Sequence, residues 1–499
     1  MTDNRKVHGK RRAPLLLTSL LLSFLSPAIH ANEDISHKIW QEERYYQQHK
    51  QQKKEADLMM SDAISTKSGA SSIVIHGQKF KLENNEKDIA KALYLAINYR
   101  QWQDVKRLLI AYKKLPRYDP LLVDFAQGWL AQLHGNSVLA TAYYQKILRQ
   151  KPNSTRIKLE LARVYFNDYK NRESEQLFKE ISEQQQLPEI ILQNIGRYQE
   201  AINLRNGWHG SFSLGYTYDD NINLSSNQKP ICLLPIKEKC VIERNIPKPI
   251  KEWGAVYNAT LSRRYPLVGH HGIFGRGLIY GENYHHYHDE NENMLLLVSG
   301  YSYKSRTHDF SFGPLFEYKQ RAGNTEYHAI GAKIEWQWDI TTQTSLNIEL
   351  GHKKLSYQPR YRWKDGELSS CYFSLSHAIS KRLMLFGGGS WNYQNNQQAA
   401  SRYQKWGVNM GIAGQLYSGI NGSLFVTLKK QQFGAYSALL GAKRQDNEQI
   451  YTASIKFPVA KILGMTPSLT FRHRHNRSNV GWLYSYDKNE VQIQLEKYF

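Results

Sequence analysis

Cysteine is scarce in this chain: three among 499 residues, and none has the spacing of a CxxC redox pair or a zinc site. That excludes a cysteine-built metal centre. No apolar run is long enough to cross a bilayer as a helix, because a span needs about 20 residues. The longest, Leu15 to Leu25, falls well short, and a mean hydropathy of -0.60 argues against a bundle of membrane helices. No nucleophile or acid and base arrangement is recognisable, and no Gly-rich loop cradles a phosphate, so neither catalysis nor a cofactor is expected. Acidic residues are outnumbered, 44 Asp and Glu against 66 Lys and Arg, for a net charge of +22. The basic residues are scattered rather than striped, which speaks against nucleic acid and suits an exported chain that meets anionic lipopolysaccharide and acidic partners.

The Leu15 to Leu25 run follows a basic cluster (Arg5, Lys6, Lys10, Arg11, Arg12) and precedes the small residues Ala28 and Ala31. This is the pattern of a secretory signal over residues 1–31. Cutting after Ala31 exposes Asn32 rather than a cysteine, so the mature chain is expected not to be a lipoprotein. Residues 32–86 read as a loose polar helix, a linker from Ser61 to Ser72 and a small hairpin around His76-Gly77-Gln78. In an exported chain Cys232 and Cys240, which close a short loop, are expected to form a disulfide, while Cys371 stands alone within a strand.

Over residues 87–205 the apolar period becomes helical and repeats. Pro116, Pro152 and Pro188 stand 36 residues apart, and Gly128, Ala140, Tyr144 and Ile147 are answered 34 residues on by Ala162, Ser174, Phe178 and Ile181. Small residues let paired helices touch and aromatics fill the space between repeats. This is a tetratricopeptide pattern, complete from Leu121 and from Thr155, degenerate from Lys87, and followed by a flanking helix from Pro188 to Leu204.

From residue 206 to 499 strict alternation takes over. Trp208, Gly210, Phe212, Leu214, Tyr216 and Tyr218 share one face, as do Trp406, Val408, Met410 and Ile412, and as do Val491, Ile493 and Leu495 in the last segment. Roughly fourteen such segments of about ten residues predict an antiparallel transmembrane β-barrel rather than a soluble β-sandwich. Phe499 then falls in an aromatic girdle. Short turns at Tyr265 to Gly272, Ser305 to His308, Ile340 to Thr344, Ser380 to Arg382 and Gln415 to Asn421 face the helical domain, and longer polar loops face outside. Pro458 to Met465 is oddly apolar for a turn, and a short plug-like helix is expected there. Lys333, Glu335, Asp339, Glu349, Lys353, Lys429, Arg472 and Arg474 are predicted to face inward, a mixed charge that suits a protein conduit better than an ion-selective pore.

Ala92-Leu93-Tyr94 with Trp102, Tyr112 and Leu115-Pro116, then Phe125-Ala126-Gln127-Gly128, Leu159-Glu160-Leu161-Ala162-Arg163 and Gly215 to Asn223 follow one another in an order that resembles the surface lipoprotein assembly modulators, or Slam proteins. These are the outer-membrane component of type XI secretion. The resemblance covers nearly all of the mature chain. It implies a fourteen-stranded barrel behind a periplasmic tetratricopeptide domain, and cargo that is a surface lipoprotein or a soluble heme- or metal-scavenging protein. Outer-membrane lipid, the barrel assembly machinery and periplasmic chaperones are the other expected partners. Ser174 stands where a repeat usually has Ala, and Gln186 where it usually has Pro. Two other readings stay open, a polysaccharide exporter of similar architecture and a porin with a periplasmic docking module.

Within such repeats the second, fifth, ninth and twelfth positions of the first helix line the groove. This marks Phe125, Trp129, Arg163 and Phe166 as cargo-gripping candidates, since aromatic and Arg anchors dominate protein contacts. The competing reading has Trp129 packed against the barrel rim or a neighbouring repeat. His286 and His288, with a nearby carboxylate, have the composition of a metal site but more ordinarily that of a solvated loop. Asp219-Asp220-Asn221-Ile222-Asn223 lacks the spaced ligands of a calcium loop and reads as a turn held by its own side chains. No metal is expected.

Overall fold

The structure, a computed structural model, describes residues 72–75, 78–81, 85–184, 187–228, 231–236, 239–380 and 382–499. The expected signal, the polar helix after it and most of the linker lie outside the described residues. Strands β1 (Ser72–Ile75) and β2 (Gln78–Lys81) form the small antiparallel hairpin, with Ile75 opposite Gln78.

Seven helices follow: α1 (Glu86–Asn98), α2 (Trp102–Lys113), α3 (Pro120–Leu133), α4 (Ser137–Gln150), α5 (Thr155–Asn167), α6 (Asn171–Ser182) and α7 (Glu189–Asn206). Their starts are chemically marked. The Asn85 side chain accepts from Asp88 N at the head of α1, and Asp119 accepts from Leu121 N at the head of α3, with Pro120 in the first helical position where no N–H is needed. The repeat signature has a steric cause at Gly128, where a Cβ would lie 2.5 Å from the Tyr144 ring across the α3–α4 contact. The Tyr144 hydroxyl accepts from Gln132 at 2.9 Å. Burial, with Glu160 nearby, pushes that hydroxyl well above its ordinary pKa.

From Trp208 the chain forms a closed barrel of fourteen strands. They are β3 (Trp208–Asp219), β6 (Glu252–Pro266), β7 (His271–Tyr284), β8 (Glu292–Lys304), β9 (His308–Arg321), β10 (Asn324–Asp339), β11 (Thr344–Tyr357), β12 (Gly366–Ser380), β13 (Leu383–Asn396), β14 (Tyr403–Tyr417), β15 (Ile420–Phe433), β16 (Gln445–Lys456), β17 (Thr466–Ser478) and β18 (Tyr486–Tyr498). The loop from β3 to β6 carries its own hairpin, β4 (Ile231–Ile236) with β5 (Lys239–Arg244), cross-linked by Cys232 and Cys240 at a Cα separation of 5.5 Å. Cys371 is a free, half-buried thiol on β12. All neighbouring strands run antiparallel, and β18 pairs back onto β3 with Leu495 opposite Leu214, so the barrel has no unpaired edge.

Burial along the strands is inverted relative to a soluble domain. Leu214, Tyr216, Ile330, Val408 and Ile493 are exposed, while Glu317, Lys319, Glu349, Asn392 and Gln394 are buried. Hydrocarbon is the solvent that the outer face meets. The strands run from 12 to 16 residues, longer than the roughly ten that cross hydrocarbon, because their ends continue past the bilayer.

Two expectations need correction. On the outer side β9 and β10 are joined by the tight Ala322-Gly323 turn, which has no long polar signal to reveal it. The apolar stretch between Pro458 and Met465 is not a helix: Pro458 supplies no N–H, and Leu463 and Gly464, both at positive φ, close a two-residue turn between the bridged Ile462 and Met465.

Candidate functional site

The helical groove is the first place to look for a cargo contact, and the structure redistributes its candidates. Phe125 is buried 6.3 Å from the Tyr144 ring. Trp129 is buried against Trp102 at 5.5 Å, so the neighbouring repeat, not the barrel rim, is what it packs on. Phe166 lies edge-on to Tyr198 at 5.0 Å, with the Arg205 guanidinium 3.7 Å over its ring. These three aromatics therefore hold helices together instead of standing free as anchors. A large ring already packed against α2, α4 or α7 gains more from that packing than from a transient partner.

Arg163 is half-buried, with its guanidinium 5.9 Å over the Tyr198 ring. It pairs with Glu160 at 3.2 Å, and Arg156 reaches the same Glu160 oxygen at 3.2 Å from one turn earlier, building an Arg–Glu–Arg ladder along α5. Glu160 itself is fully buried. Arg156 also lies over Phe125 at 6.0 Å, and Arg100 over Trp129 at 5.8 Å. Arg156 and Glu160 are the groove residues that aromatic-anchor reasoning passes over. Their signal in the sequence is the i, i+4, i+7 spacing of Arg156, Glu160 and Arg163 on one helix.

The helical domain is fastened to the barrel through the turns of β6–β7 and β8–β9. His270 Nε2 lies 3.0 Å from Asp168 Oδ2, the Gly269 amide donates to Glu173 at 2.5 Å, and Lys304 sits 5.1 Å over the Tyr169 ring. Arg306 in the β8–β9 turn comes against Gly135 between α3 and α4. Burial pushes the Asp168 carboxyl up, but hydrogen bonds and charge from His270 and Lys170 outweigh it and hold the group below the usual carboxylate range. At neutral pH the joint contains an ionised aspartate.

Inside the barrel, the charges expected to face inward are matched one by one. Lys333 bridges Glu335 at 2.8 Å and Glu349 at 3.0 Å, Arg276 also reaches Glu335 at 2.5 Å, and Lys353 meets Glu317 at 2.8 Å. Lys429 and Arg474 share Glu448 at 3.3 and 3.4 Å, and Arg472 pairs with Glu490 at 3.1 Å. Asp339 accepts from Ser345 at 2.7 Å. Such neutralised pairs leave little field of one sign to select ions. The same inward face carries an apolar patch that alternation does not disclose: Val256, Leu278, Tyr280, Met294, Leu296 and Leu315 cluster across β6 to β9.

At the outer rim, His286 Nδ1 lies 3.0 Å from Glu252, whereas His288 Nδ1 faces Asn291 at 3.5 Å. Among the described residues no three His, Cys, Asp or Glu side chains gather as metal ligands. The Asp219 to Asn223 segment is a turn that ties β3 to β18. The Asn221 amide donates to Asp219 at 2.9 Å, the Asn489 amide donates to Asp220 at 2.7 Å, and the Lys488 ammonium pairs with Asp219.

A closed barrel with apolar residues outside and paired charges inside, carrying a tetratricopeptide-like stack on its inner turns, defines an outer-membrane β-barrel protein with a periplasmic repeat domain. Residues 208–499 match the family model described as "Surface lipoprotein assembly modifier", and residues 75–178 match "Surface lipoprotein assembly modifier, N-terminal TPR repeats". The chain belongs to the surface lipoprotein assembly modifier family. It is 33% identical over 498 residues to the hemophilin secretion modulator of Acinetobacter baumannii, covering 96% of this chain and 98% of that protein. It is 23% identical to the surface lipoprotein assembly modifier of Haemophilus influenzae strain 86-028NP, covering 85% and 87%. To surface lipoprotein assembly modifier 1 of Neisseria meningitidis serogroup B it is 22% identical, covering 84% of each.

Proposed function

We propose that this chain is an outer-membrane translocon that moves surface lipoproteins, or soluble heme- or metal-scavenging proteins, from the periplasm to the cell surface. The helical domain receives cargo and the barrel conducts it. The observation that carries this reading is the direct fastening of the repeat domain to the barrel turns, His270 to Asp168 and Gly269 to Glu173, which keeps a groove for protein segments at the barrel mouth. The names of the relatives, a hemophilin secretion modulator and surface lipoprotein assembly modifiers, support the same cargo class.

Within the groove the grip is assigned to Arg163 together with Arg156. Phe125, Trp129 and Phe166 give the groove its shape. The barrel assembly machinery inserts the barrel, outer-membrane lipid surrounds it, and periplasmic chaperones deliver the cargo. No nucleotide is used: cargo that folds outside is withdrawn from the equilibrium, and passage is biased outward by mass action. The test is reconstitution of the purified protein alone in liposomes. Externally added unfolded cargo should become protected from protease without nucleotide, and cargo that stays fully digestible would refute the reading.

A further inference from the structure

Apart from the β6–β7 turn beside the helical domain, where Tyr265 and Val268 are also exposed, two of the inner turns are built differently from the others. The turns around Ser305 to His308 and Ile340 to Thr344 are mostly polar, as the water below a barrel requires. The β14–β15 and β16–β17 turns instead present Leu416, Tyr417, Val459 and Leu463 at 68, 74, 75 and 87% exposure, with Ile462 beside them. The two turns touch, since Val459 of the second lies against Gly419 of the first. Leu463 is also held at φ 52, a left-handed conformation that favours glycine or asparagine. A leucine placed there meets almost no protein, so neither its backbone conformation nor its exposure is repaid within the chain.

We propose that this tip is seated in the inner leaflet of the outer membrane, among the acyl chains and headgroups of phospholipid. The occupant follows from continuity with an interface already defined. Trp406, Val408, Met410 and Ile412 form the hydrocarbon-facing stripe of β14, alternation carries it to Gly414, and the exposed Leu416 and Tyr417 follow at a register shift beside the turn. Val459, Ile462 and Leu463 extend the stripe past the strand end. The exposed Lys461 stands in the middle of this segment, where its ammonium meets lipid phosphate while its stem lies along the apolar residues. The position is also informative. In the strand order of the barrel, β14 to β17 lie across the ring from β6 to β9, whose turns hold the helical domain. The tip pins the side of the barrel that the helical domain does not load.

The experiment places an environment-sensitive NBD label at Leu463→Cys in a Cys371→Ser background, with the protein reconstituted in phosphatidylethanolamine and phosphatidylglycerol vesicles. A second reporter at Ala460→Cys, also exposed, keeps the test readable if a label at the tight turn disturbs it. A polar-turn control is labelled at Thr342→Cys. The proposal expects the two tip labels to emit to the blue of the control and to be quenched roughly twofold by spin labels carried on the lipid acyl chains, as for other interfacial segments. It is overturned if both tip labels behave like Thr342→Cys and respond only to an aqueous quencher. It is equally overturned if shielding appears only on addition of cargo, or only at protein densities where copies cross-link, because the tip would then be a protein-docking surface.

Discussion

The two halves of the molecule bury opposite chemistries. In the helical domain the interior is Leu93, Ile97, Tyr144, Phe166, Phe178 and Ile202, and the few buried acids, such as Asp104, Asp124 and Glu160, are each paired with a neighbouring Arg or Lys. In the barrel the buried side chains include Glu317, Lys319, Glu349, Lys353 and Gln394, and Leu214, Ile330, Val408 and Ile493 face outward. One chain thus obeys two burial rules, each set by the solvent its outer surface meets. The contrast also separates two meanings of an aromatic side chain. On the barrel wall an exposed ring is at home in lipid, whereas Phe125, Trp129 and Phe166 among the helices are structural because a neighbouring helix covers them.

The comparison is broken most severely from the helical side. Phe166→Ala removes a buried ring lying between α5 and α7 and should cost the helical domain about 3–5 kcal/mol, read as lowered resistance to urea and protease. The barrel should keep its heat-modifiable migration, since the two domains have separate interiors. On the other side, Ile330→Arg places a charge on the hydrocarbon face and should cost about 2–4 kcal/mol of barrel stability in a vesicle refolding assay. The helical domain should be untouched. Loss of both domains by either substitution would contradict the division into two solvents.

A smaller effect is expected at the joint. Asp168→Asn removes the ionised partner of His270 and should weaken docking by about 1.5–3 kcal/mol, seen as faster hydrogen exchange in α5 and α6. The pH dependence has a definite sign. Because the Asp168 carboxyl is held below its ordinary value, its contribution is fully present above that value and is lost as the pH falls through the depressed one. Docking should therefore persist through mildly acidic conditions and loosen only below about pH 4. Loosening already near neutrality would show that another group governs the joint.

The smallest expected effect on the fold is also the sharpest for function. Arg156→Gln with Arg163→Gln, combined with Glu160→Gln so that no buried carboxylate is left unpaired, should leave barrel assembly and helical content intact while lowering cargo export roughly tenfold. Unchanged export would remove the groove ladder from the mechanism.

Much of the architecture was readable from spacing. The 34-residue echo of Gly128 in Ala162 and of Tyr144 in Phe178 encodes the helical pairs, because these residues act between sequence neighbours. The same holds for Trp406 to Ile412, where period two states which face meets lipid. Three features were left open or hidden. Trp129 meets Trp102, and a periodic pattern says that a face is apolar without saying what will cover it. Asp168 meets His270 some hundred residues away, a pairing with no local trace. The inward apolar patch is hidden because Met294-Leu295-Leu296-Leu297-Val298 is apolar at every position, so alternation cannot assign either face.

Tethering the helical stack along the β6–β9 arc removes the rotational symmetry of the cylinder. The fourteen staves are no longer equivalent to anything arriving from below. The arc that holds the helical domain is also the arc whose inner wall carries Leu278, Leu296 and Leu315, so that side of the lumen is ionic at Arg276 and Glu335 near the inner turns and greasy above them.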